Sequence, residues 1–150
     1  MRFFNKPFRS FIYTLIVSYI CLTAITVQAE QLIEADGFKI HYNAFNSSLL
    51  TPEVVNQYGI ERSTSLGVLT LSVLDKSDKA VSAFIMGDAK NPISQLTKLE
   101  FTKITEGHSI YYIATFNFAD KEKLNFDIIV VPEGITHKIK LQFKQQFYVE

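Results

Sequence analysis

Lys138-Ile139-Lys140-Leu141-Gln142-Phe143-Lys144-Gln145-Gln146-Phe147-Tyr148-Val149 closes the chain, and its period decides the fold class. Ile139, Leu141, Phe143, Phe147 and Val149 oppose Lys138, Lys140, Gln142, Lys144, Gln146 and Tyr148. Side chains of a strand point alternately to its two faces, so a period of two marks a strand with one face on a core. The lysines of the outer face guard a sheet edge against pairing with other chains, or offer charge to an anionic surface; guarding is the favoured reading.

The same period recurs upstream. Leu124, Phe126, Ile128 and Val130 start beside Asn125 and Asp127 and finish beside Ile129 and Val131, which predicts a strand covered on both faces at its end. Phe38, Ile40 and Tyr42 alternate with Lys39, His41 and Asn43; Leu69, Leu71 and Val73 alternate with Thr70 and Ser72. Ala80–Met86, Lys98–Thr105 and Ile110–Phe118 are rich in aromatic and β-branched residues, as strands are. Turn residues separate these runs at Asp75–Asp78, Glu106–Ser109, Asp120–Glu122 and Pro132–Gly134. Lys90-Asn91-Pro92 reads as a longer link where the chain crosses between sheets. About seven strands at this spacing predict an all-β fold, an antiparallel immunoglobulin-like β-sandwich. Residues 30–150 form a single domain, with no repeat or linker to divide them.

One short helix interrupts the early strands. Thr51 suits the N-cap, Pro52 the first helical position, Glu53 the positive end of the helix dipole, and Gly59 a left-handed C-terminal turn. Val54, Val55 and Tyr58 make its buried stripe, and the helix reads as a lid over one end of the sandwich.

The first 29 residues are an address. Arg2, Lys6 and Arg9 precede an uncharged apolar run, Phe11 to Ile25, and Val27-Gln28-Ala29 offers a signal-peptidase site just before Glu30. The run is short for a bilayer span of about 20 residues, so a cleaved secretory signal is favoured over an uncleaved anchor. Membrane contact follows only if the segment is retained. The single cysteine, Cys21, lies inside this segment behind Ile20, where a lipid-attachment signal would need a small residue. Past residue 29 there is no thiol, which removes disulfides, cysteine nucleophiles and cysteine-based metal sites. Twelve basic and fifteen acidic residues remain there, a net charge of −3, so nucleic acid is not an expected partner.

Reactive chemistry is sparse. His41, His108 and His137 match no local ligand motif, although strands could bring them together. No serine stands in a Gly-x-Ser-x-Gly elbow, and the carboxylate pairs Asp75/Asp78 and Asp120/Glu122 lie in turns. There is no phosphate-binding glycine loop. No catalytic, metal or cofactor residue is assigned, and no cofactor is expected. Asn46-Ser47-Ser48 is a formal glycosylation sequon, of consequence only in a glycosylating host. The densest mixture of aromatics and amides, His41 to Ser47 with the helix and Tyr58 to Ser63, is either loop structure or a recognition surface. Its candidates are His41, Asn43, Asn46, Tyr58 and Arg62. Arg62 is the sole arginine after residue 29, and its planar fork would either tie the helix to the sandwich or bind an anionic group on a partner.

The segments HYNAFNSSLLTPEVVNQYGIERS (41–63), LGVLTLSVL (66–74), IYYIATFNF (110–118) and LQFKQQFYV (141–149) resemble the bacterial family called domain of unknown function 4426. The resemblance implies a small exported protein of the periplasm with an all-β domain, and carries over no activity. The expected function is non-enzymatic binding of an unknown periplasmic protein or envelope component. The alternative is a small hydrolase with a site assembled from dispersed Ser, His and acidic residues.

Overall fold

The computed structural model describes residues 31–149; the predicted signal segment, with Cys21, lies outside the described residues. Two antiparallel sheets face each other. The first has the order β1-β2-β3-β7-β6, from β1 (Gln31–Ala35), β2 (Phe38–Asn46), β3 (Leu66–Leu74), β7 (Ser109–Asn117) and β6 (Thr102–Glu106). The second has the order β5-β4-β8-β9, from β5 (Leu96–Leu99), β4 (Ala83–Lys90), β8 (Lys123–Pro132) and β9 (Ile139–Gln146). This is the expected sandwich, with nine strands among the described residues in place of about seven.

Both additional strands have a local cause. β1 precedes the first expected strand and joins it through Asp36-Gly37, whose φ values of 53° and 83° make a two-residue hairpin turn. The run Lys98–Thr105 divides at Glu100-Phe101, where the chain changes sheets: Leu99 is buried in β5 and Phe101 packs on the core just before β6. The crossing is therefore not at Lys90-Asn91-Pro92. That segment opens a hairpin between β4 and β5, closed by Asn91 and Gln95, whose side chains bond at 2.9 Å.

The core lies between the inward sets. Ile40 and Ala44, Leu69 to Val73, and Tyr112 to Phe116 from the first sheet meet Phe126 to Val130 and Ile139 to Leu141 from the second. Phe126 stacks on Phe143 at 4.5 Å, and Phe143 reaches Tyr42 of the facing sheet at 4.7 Å. Tyr112 is buried, and its hydroxyl accepts the Ala83 backbone N–H at 2.6 Å across the sandwich. Phe143 is only half-buried, and Val149, beyond the end of β9, is exposed.

Helix α1 (Pro52–Tyr58) has the expected caps: Thr51 Oγ1 accepts from the Val54 N–H, and Gly59 is left-handed at φ 64°. Its stripe is Val54, Val55 and Tyr58, half-buried rather than buried. It also lies elsewhere than expected. The segment 47–65 folds back over the outer face of the first sheet, where outward-pointing Val68 is buried and the Tyr58 hydroxyl bonds the Glu106 carboxylate. The end of the helix and the outer-face residues Ile104, Ile113 and Thr115 line one shared hollow there.

Candidate functional surfaces

Alternation along β2 sends His41, Asn43 and Phe45 to the outer face of the first sheet and Asn46 to its inner side. His41 stands directly opposite Ser72 of β3. Two turns rise beside this pair. The β3–β4 turn is braced by Asp75, whose Oδ1 accepts from the Ser77 N–H at 2.7 Å and the Lys79 N–H at 3.0 Å. These backbone bonds hold its carboxyl below the usual carboxylate range. The β6–β7 turn carries His108 beside Gly107, whose φ of 56° favours glycine. Between them opens a cleft of about 830 Å³, lined by His41, Ser72, Lys79, His108, Ser109 and Tyr111 among others. Asp78 also lines it but is paired with Lys39 at 2.6 Å, and this bond raises the Lys39 pKa above its ordinary value.

The sequence candidates divide between this cleft and the segment over the sheet. Only His41 lines the cleft. Asn46 is 8% exposed. Its Oδ1 caps the Ser48 N–H at 3.0 Å, and its Nδ2 donates to the carbonyls of Thr64 at 2.9 Å and Tyr148 at 3.4 Å. An amide so engaged joins three chain segments. Arg62 Nη2 donates to the Ser48 carbonyl at 2.8 Å, which ties the stretch after the helix to the turn before it. Tyr58 shares Glu106 with Gln57, and the Asn43 carbonyl accepts from Thr70 Oγ1 at 3.4 Å. His108, which its turn position gave no reason to pair with His41, joins the cleft. His137 does not; it bonds Asp36 at 2.8 Å.

The second sheet presents a different surface. On its outer face Phe84 stands opposite Val131 and Met86 opposite Ile129, four contiguous apolar side chains on the two central strands. Phe84 is 64% exposed and Met86 42%. The next row along the strands is polar: Lys98, Asp88, Asp127 and Gln142, with Gln142 Nε2 donating to Asp127 at 3.0 Å. Among the described residues, no three His, Cys, Asp or Glu side chains gather as a metal site, and no helix is long and apolar enough to cross a membrane.

A family model described as a domain of unknown function, DUF4426, matches residues 33–150. The chain belongs to the DUF4426 family. A DUF4426 family protein of Pseudomonas aeruginosa is similar in structure, with a TM-score of 0.73 and 31% identity, over 83% of this chain and 98% of that one. FetP of uropathogenic Escherichia coli strain F11, recombinantly expressed in the periplasm, matches with a TM-score of 0.57 at 7% identity, over 80% of this chain and 94% of its own. A copper-bound variant of FetP matches with a TM-score of 0.55, also at 7% identity, over 79% and 95%. The likeness to FetP is one of fold alone. No curated protein matches the sequence.

Proposed function

We propose that this DUF4426 protein is exported to the periplasm and works there by binding an envelope protein or other envelope component. The signal pattern of residues 1–29 supports the address. The binding role rests on one observation: Phe84, Met86, Ile129 and Val131 form an apolar patch bordered by charged and amide side chains, on a sheet face with no element over it among the described residues. Water-exposed apolar side chains of this kind in contiguous array mark interaction surfaces, and an apolar centre with a polar border is the usual anatomy of an interface. A photo-crosslinker placed at Met86 in cells should capture a defined partner, and one at Thr115 on the opposite sheet should not. Phe84→Asp should abolish the capture without lowering the melting temperature. Equal capture from both positions would overturn the patch as the binding surface.

The second reading, a small hydrolase, draws on the His41–Ser72 pair. Its difficulty is the serine's backbone. Nucleophilic serines of the elbow type sit on a sharp turn that projects the hydroxyl, whereas Ser72 lies within β3. Labelling of Ser72 by a fluorophosphonate would favour hydrolysis over binding.

A further inference from the structure

We infer that the cleft on the outer face of the first sheet binds a hydroxylated organic anion, a sugar acid or sugar phosphate. The argument is independent of the apolar patch, which lies on the other sheet. A volume of about 830 Å³ is within the range of small-molecule sites, roughly 300–1,000 Å³. It exceeds what an inorganic ion needs. Apart from Asp78, every polar side chain in it can donate a hydrogen bond. Lys79 supplies an ammonium, Ser72, Ser109 and Tyr111 supply hydroxyls, and His41 and His108 supply imidazoles. The carboxylate that lines the cleft, Asp78, is neutralised by Lys39 at 2.6 Å. The nearby Glu106 carboxylate is engaged by Tyr58 and Gln57, and Asp75 faces its own backbone. Lys79 is the cation that lines the cleft, and it has no salt-bridge partner among the described residues. Donors around a cation with its anion already paired select for an anionic ligand.

The remaining lining describes the body of that ligand. Tyr111 is 40% exposed and offers a ring plane, and Leu74, Ala80 and Ile110 add apolar surface beside the hydroxyls. An apolar plane amid hydrogen-bonding side chains suits a sugar ring, which presents C–H groups on its faces and hydroxyls at its rim. The walls are fixed before any ligand arrives, because Asp75 braces one turn and the two-residue connection at Gly107-His108 fixes the other. A preformed site loses less entropy on binding.

The test uses protein recovered from the periplasmic fraction, titrated calorimetrically with glucose 6-phosphate, glucuronate and glucose. These three share a body and differ in carrying a phosphate, a carboxylate or no charge. Binding of either anion at least ten times tighter than glucose is the expected result, and which anion prevails identifies the charged group. Lys79→Ala and His108→Ala should each weaken that binding about tenfold, equivalent to about 1.4 kcal/mol, with circular dichroism unchanged. Equal affinity for glucose and the anions, affinities indifferent to both substitutions, or no binding of any of the three would overturn the assignment. Capture by the apolar patch would be unaffected in each case.

Discussion

Asn46 shows how much one side chain can hold. Its amide satisfies a donor two residues away and two acceptors from segments distant in sequence, at a position 8% exposed. Asn46→Ala should cost about 1–3 kcal/mol, the penalty for leaving buried polar groups unpaired, measured by denaturant unfolding. Arg62→Lys removes one bond at an exposed site, so its loss should be smaller than that of Asn46→Ala. An equal or larger loss would mean that Arg62 does more than hold the Ser48 carbonyl. In the core, Phe126 is 2% exposed and touches Phe116 and Phe143, so Phe126→Ala should cost about 3–5 kcal/mol. Phe143→Ala should cost less, because its ring is already half in water. Alternation assigns Phe143 the inward face correctly, but a face says nothing about how near the sheet edge a residue stands, and β9 is an edge strand.

Strands and turns carry predictions of their own. Gly67 of β3 lies opposite Phe116, whose ring occupies the place a Cβ would take. Gly67→Ala must displace that ring from a filled core and should cost about 1–3 kcal/mol. A stability equal to wild type would show that Phe116 has room to move. The β3–β4 turn should respond to acid. Asp75 has a depressed pKa in the fold, so the native state holds its carboxylate charged where the unfolded chain would take up a proton. Its stabilising contribution is present above the unfolded value and is lost as pH falls through the folded one. Wild-type stability should therefore decline below about pH 4, and Asp75→Asn should remove part of that slope. Identical acid limbs for the two proteins would mean that the turn does not depend on the charge. At this scale some signals were legible and others were not. Asp36-Gly37 is among the strongest hairpin signals and marks β1, yet Gln31–Ala35 lacks the alternation that announces a strand, being an edge strand with little to bury. The break at Glu100-Phe101 leaves no mark, because Leu99 and Phe101 keep their period of two while the backbone between them changes sheets.

For the molecule as a whole, the proposed export predicts a processed chain beginning at Glu30. Intact mass of protein from the periplasmic fraction checks this, and recovery of the full-length chain in membranes would favour the tethered form. With Cys21 removed, the unfolding midpoint should be the same with and without reductant; a shift would mean that the leader is retained or that another species is present. What the sequence determined by itself is what depends on nearest neighbours along the chain: the strand period, the capped helix between Thr51 and Gly59, the absence of thiols past residue 29, and hence the all-β class. What the tertiary structure decided depends on which strands lie side by side. Pairing of β2 with β3 put His41 opposite Ser72, and the turn after β6 brought in His108 from 67 residues away, forming a cleft that no local pattern contains. Pairing of β4 with β8 joined Phe84 and Met86 to Val131 and Ile129, two short apolar runs that become a surface only when adjacent. The helix could be recognised from its caps, but its resting place on the outer sheet face could not. Caps are set by local backbone donors, whereas docking is set by contacts distant in sequence, such as that of Tyr58 with Glu106.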